Sequence, residues 1–99
     1  MYRNLKKLKE ILQQGSADVI IGKAGLSENV IKEVKRRLKD KGAVKIKFLK
    51  SALKVEGVDR RELARRLAES TGALLLEVRG RTAILYCEER ETLKREDNL

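Results

Sequence analysis

Apolar residues recur three and four apart in some stretches of this chain and two apart in others. Leu5, Leu8, Ile11 and Leu12 fall at helical spacing among Lys6, Lys7, Lys9 and Glu10, which predicts a helix over residues 2–14 ended by Gly15 and Ser16. Residues 17–21 are short and β-branched and predict a buried strand. Gly22, Lys23, Ala24 and Gly25 form a tight loop, and Ser27 is a good N-cap for a second helix reaching Lys41, with Gly42 beyond its end. Val30, Ile31, Val34 and Leu38 give that helix one apolar stripe. Val44, Ile46 and Phe48 then alternate with Lys45 and Lys47, the clearest strand pattern in the chain, and place both lysines on an outward face.

Residues 50–57 show no strong period and read as a connector. Asp59 begins the next helix as its cap, Glu62 is placed to close a capping box, and Val58 and Leu63 are placed as a hydrophobic staple. Leu63, Ala64, Leu67 and Ala68 form its buried stripe and Gly72 stops it. Two strands follow, over residues 73–78 and 82–87, joined by a turn at Arg79, Gly80 and Arg81. The expected fold is a single α/β (α+β) domain over residues 1–88 in the order α-β-α-β-α-β-β. A four-stranded mixed sheet with packed helices follows from that order. Residues 89–99 read as a charged tail.

Charge changes the picture most. Of the 99 residues, 39% are charged, against about 25% in ordinary soluble domains. The net charge is +9, and residues 1–50 carry all of it, with 14 basic and 5 acidic residues, while the second half balances. That asymmetry points to a surface for a polyanion. On the second helix, at about 100° per residue, Lys32, Lys35, Arg36 and Lys39 lie opposite the apolar stripe and form a basic ridge. Glu33 with Arg37, and Arg36 with Asp40, are spaced to pair along it.

Absences exclude other chemistry. There is no His, and a lone Cys87 makes neither an internal disulfide nor a thiolate metal site. With no imidazole to activate it, Cys87 reads as a small apolar residue at a strand end. Asp59 is a cap, and Glu88 with Glu89 sits in a solvated tail, so neither supplies a catalytic carboxylate pair. No enzyme activity, cofactor, metal or small-molecule substrate is expected. No apolar run is long enough to span a membrane, and no leader pattern is visible, so a cytoplasmic chain is expected. Three aromatic residues, Tyr2, Phe48 and Tyr86, are too few for base stacking across a sheet.

The loop Gly22, Lys23, Ala24 and Gly25 is where charge and backbone meet. Glycines let the chain turn sharply and let a phosphate approach, the following helix N-terminus favours an anion, and Lys23 adds a cation at the tip. The same spacing also occurs in ordinary strand-to-helix turns. Lys45 and Lys47 either extend the basic surface or form a plain solvated face. Arg60, Arg61, Arg65 and Arg66 interleave with Asp59, Glu62 and Glu69 and read as a salt-bridged solvent face. Arg79 and Arg81, at the hairpin tip, are within reach of a phosphate or simply solvated.

The run Ile21-Gly22-Lys23-Ala24-Gly25-Leu26-Ser27 resembles the signature of the CRM domain (chloroplast RNA splicing and ribosome maturation), whose stand-alone members are the YhbY-like proteins. Three further segments match in order. They are Lys41-Gly42-Ala43-Val44-Lys45-Ile46-Lys47-Phe48, then Asp59-Arg60-Arg61-Glu62-Leu63-Ala64 with Thr71-Gly72-Ala73, and last Gly80-Arg81-Thr82-Ala83-Ile84-Leu85-Tyr86. The resemblance covers roughly residues 3–87. Two positions depart from it: Cys87 stands where a basic residue commonly follows the hairpin Tyr, and Ala17-Asp18 replaces a Pro before the first strand.

The resemblance implies a fold similar to the C-terminal domain of translation initiation factor three. It also implies RNA contact at Gly22, Lys23, Ala24 and Gly25, and association with precursors of the large ribosomal subunit. The expected function is therefore RNA binding by a monomer, most simply to ribosomal or pre-ribosomal RNA. The loop is its clamp, and Lys32, Lys35, Arg36, Lys39, Lys45 and Lys47 are its cationic contacts. Two alternatives stay open: a DNA- or chromatin-binding protein of the Alba type, and an adaptor that docks an acidic protein on the basic half.

Overall fold

Caps and alternation condense into eight elements. The computed structural model describes residues 5–87, as α1 (Leu5–Gln14), β1 (Val19–Ile21), α2 (Glu28–Lys41), β2 (Ala43–Phe48), α3 (Lys50–Glu56), α4 (Arg60–Thr71), β3 (Leu74–Arg79) and β4 (Thr82–Tyr86). The sheet order is β1-β2-β4-β3. β1 runs parallel to β2, which requires the α2 crossover between them, while β4 is antiparallel to both β2 and β3. The expected mixed four-stranded sheet is present. The tail over residues 89–99, together with Glu88 and residues 2–4 of the first predicted helix, lies outside the described residues.

Local chemistry sets the helix limits. Ser27 Oγ accepts from the Val30 N–H at 3.3 Å, and Gly42 closes α2 in the left-handed conformation at φ 83°. Asp59 Oδ1 accepts from the Glu62 N–H at 2.9 Å and starts α4. The capping box is only half formed, because the Glu62 carboxylate pairs with Arg65 and Arg66 instead. Residues 50–57 are not a connector. They form α3, capped by Gly57 at φ 67°, with Ala52 fully buried.

Strand alternation divides the side chains between two faces. Val44, Ile46 and Phe48 of β2 join Ile21, Leu85 and Ala83 in the main core, roofed by Val34 and Leu38 of α2, Ala52 of α3, and Leu63, Ala64, Leu67 and Ala68 of α4. Val58 packs against this cluster, to which Leu63 belongs, consistent with the expected staple. Among the described residues nine side chains are large and fully buried, and most belong to that layer, so its burial is the main driving force for the fold.

The other face carries Ala43 and Tyr86, covered by Leu12 of α1 and by Leu76. The side chains of Leu5, Leu8 and Ile11, expected beside Leu12, lie outside the described residues. A register shift between Leu75 and Glu77 brings Glu77 opposite Ile84, where its carboxylate accepts from Gln13 Nε2 at 2.8 Å. α1 therefore lies across one face of the sheet, and the three other helices cover the opposite one.

That second layer corrects the reading of β2. Lys45 does point away from the main core, but α1 covers it, and it is only 7% exposed. Its ammonium donates to the carbonyls of Gln13 at 2.9 Å and Gly15 at 2.7 Å. These are carbonyls at the C-terminal end of α1, which has no basic residue in its own last turn. Lys45 is a helix cap supplied from a neighbouring strand, not part of an outward cationic face.

Candidate nucleic-acid interface

Parallel strands leave a sheet at the same end. β1 continues into the loop over Gly22, Lys23, Ala24 and Gly25, and β2 continues into α3, so these two segments must meet. The Leu49 N–H donates to the Ile21 carbonyl at 2.9 Å and extends the ladder past the last strand pair. The β3–β4 turn reaches the same end, because the Phe48 N–H donates to the Arg81 carbonyl at 2.7 Å. In open α/β sheets the carboxyl ends of parallel strands are where ligands usually bind. Here that end carries Lys23, Lys47, Lys50, Arg79 and Arg81, all exposed.

The loop closes through a bond from the Gly25 N–H to the Gly22 carbonyl at 2.9 Å. Its two glycines play different parts. Gly25 is at φ 65° and buried, and a Cβ there would lie 2.1 Å from Glu56 Oε2 and 3.1 Å from Val55 Cγ1. Glu56 Oε2 also accepts the Leu26 N–H at 2.9 Å. The missing side chain of Gly25 makes room for α3, not for a phosphate. A Cβ on Gly22 would meet only Leu49 Cδ1 at 3.4 Å and Ser51 Oγ at 3.7 Å, which are ordinary contacts. Between them the tip, Lys23 and Ala24, is exposed.

Past the tip, α2 presents the predicted ridge. Lys32, Lys35, Arg36 and Lys39 are all exposed, on the side away from buried Val34 and Leu38. They run along about 10 Å of helix. Lys23, Lys32 and Lys35 have no ion-pair partner among the described residues. Arg36 is shared, donating to Glu33 Oε1 at 2.6 Å and lying 3.6 Å from Asp40. Glu33 also takes Arg37 at 2.7 Å, and the hydrogen bonds from Arg36 and Arg37 hold its carboxyl below the usual carboxylate range. The paired spacing read from the sequence is thus present.

Lys47 is exposed near the same end of the sheet, but it shares a face with Ile20 and Thr82 and so lies across the sheet from α2. Lys45 is removed from the surface altogether. Of the ten positions singled out in the sequence, Lys23, Ala24, Lys47 and the four ridge residues are exposed, Gly22 is half-buried, and Gly25 and Lys45 are buried. Arg65 and Arg66 are engaged by Glu62, and Arg65 also by Glu69, so the expected salt-bridged solvent face forms in part, while Arg60 and Arg61 have no ion-pair partner among the described residues. Tyr86 is buried and Cys87 packs against the core.

Sequence reasoning missed Asp18. Burial alone would raise its carboxyl, but a hydrogen bond from the Lys41 ammonium and one from the Lys45 N–H, at 2.9 Å, outweigh it and hold the group below its ordinary value. The Asp18 N–H donates back to the Lys45 carbonyl at 2.8 Å. Asp18 thereby joins the start of β1 to β2 and to the last turn of α2.

Known proteins resemble this chain in sequence and in fold. A Methanocaldococcus jannaschii protein named "Probable RNA-binding protein MJ0652" is 44% identical over 68 residues, which are 69% of this chain and 48% of that protein. The chain thus matches about half the length of that relative. The solution structure of the hypothetical protein SAV1595 from Staphylococcus aureus is similar with a TM-score of 0.66 and 27% identity, covering 84% of this chain and 82% of the other. The family model of the CRS1 / YhbY (CRM) domain matches residues 3–86, and the chain belongs to that family.

Proposed function

We propose that this protein binds structured RNA by its phosphate backbone, with the loop tip at Lys23 and Ala24 as the point of closest approach and the α2 ridge as a cationic rail. The observation that carries this reading is the continuity of the two. An exposed lysine at the loop tip leads directly into a helix whose solvent face holds Lys32, Lys35, Arg36 and Lys39. Two of these cations, Lys32 and Lys35, have no carboxylate partner among the described residues and are available to phosphate. Family membership and the name of the archaeal relative support RNA over other polyanions.

The biological target we assign is ribosomal or pre-ribosomal RNA during large-subunit assembly, met in the cytoplasm by a monomer acting as a binding module and not as a catalyst. Backbone contacts of this kind give low sequence preference and a steep dependence on salt. The test is equilibrium binding of ribosomal RNA fragments in competition with duplex DNA of equal length at one salt concentration. Preference for the structured RNA supports the reading, and preference for the duplex DNA replaces it with a DNA-binding one.

A further inference from the structure

We infer that α3 is a second wall of the RNA site, with Lys50 and Lys54 as phosphate contacts and Val55 as an apolar platform for an unpaired nucleotide. The inference rests on the proposed function and extends it to a helix with no expected role in binding. The loop lies along α3, with Gly22 against Leu49 and Ser51 at its start and Gly25 against Val55 and Glu56 at its end. Taking about 100° per residue, Ser51 and Val55 form the stripe that meets the loop, Ala52 turns inward, and Lys50 and Lys54 stand on the neighbouring side.

Both lysines are exposed, one helical turn apart, with no ion-pair partner among the described residues. Val55 is 58% exposed and Leu49 39% exposed, two of only four large apolar side chains so placed among the described residues. A cationic pair beside an exposed apolar pair has no role in the core. It matches a strand whose phosphates face one way and whose splayed base or ribose faces the other, as in loops and bulges of RNA. The loop that carries Lys23 thus lies along α3 and leads in sequence into α2, each of which bears exposed lysines.

The test is binding of an RNA hairpin with an unpaired loop, and of a fully paired RNA duplex of equal length, at several salt concentrations. Lys50→Ala with Lys54→Ala keeps the helix, since alanine favours it, and is expected to reduce the log–log salt slope on the hairpin by about 1.4. Val55→Ser is expected to weaken hairpin binding several-fold, to leave the slope as it was, and to leave duplex binding as it was. An unchanged slope in the double variant overturns the inference, as does equal behaviour of Val55→Ser on hairpin and duplex. Lys32→Ala with Lys35→Ala, run alongside, separates the two claims. If only the α2 variant loses slope, the proposed function stands without α3, and if neither does, both fail.

Discussion

The Glu56 carboxylate accepts the Leu26 N–H at 2.9 Å, and this bond holds the glycine loop against α3. A side chain on Gly25 would push the carboxylate away, and Glu56 is able to move only by abandoning Leu26. The left-handed backbone adds its own penalty for any L-residue. Gly25→Ala is therefore expected to cost about 1–2 kcal/mol of stability from the backbone conformation alone. Gly22 is in an ordinary conformation with room for a methyl group, so Gly22→Ala is expected to stay within about 0.5 kcal/mol of the parent. Urea unfolding of the two variants checks the contrast, and equal losses would contradict it.

Lys45 makes a prediction of the opposite kind to the surface lysines. Replacing it with methionine keeps the aliphatic stem but leaves the Gln13 and Gly15 carbonyls without their donor. Lys45→Met is expected to destabilise the fold by about 1–3 kcal/mol. RNA affinity and its salt dependence, measured where the variant is folded, are expected to match the parent. A loss of salt slope without loss of stability would return Lys45 to the contact surface.

Acid sensitivity follows from Asp18. Its pKa in the folded chain lies below the ordinary value of 3.8, so ionised Asp18 favours folding at pH above that value. That contribution disappears as pH falls through the folded-state pKa. Asp18→Asn is expected to be less stable than the parent at neutral pH, and the difference is expected to shrink on acidification below about pH 4. Glu33 and Glu62, also held low by arginines, contribute to the acid limb of both proteins and drop out of the comparison. A stability difference that is constant with pH would contradict the assignment.

Much of this was legible in the sequence because independent signals agreed. Ser27 and Gly42 bracket α2, Asp59 and Gly72 bracket α4, and alternation in β2 identifies its core face. The ridge on α2 follows from periodicity once its apolar stripe is known. α3 was hidden because seven residues offer fewer than two full turns of pattern and Leu49 supplies no side-chain cap, so that Gly57, which closes it at φ 67°, had no helix to end in the sequence pattern. Lys45 was misplaced because alternation separates the two faces of a strand without saying what covers each. The bare C-terminal turn of α1 was the clue that a donor had to come from elsewhere. The loop's glycines were legible as a pair, but their different duties depend on α3 and so were not.

The salt dependence of RNA affinity tests the central claim most directly. For the parent chain and for the triple variant Lys23→Ala, Lys32→Ala, Lys35→Ala, the slope of log affinity against log salt counts the phosphates neutralised. The loop-and-rail account predicts that the variant's slope is shallower by about 2–3, from three lost contacts at about 0.7–0.9 each. A triple variant that is folded and retains the parent's slope would contradict it.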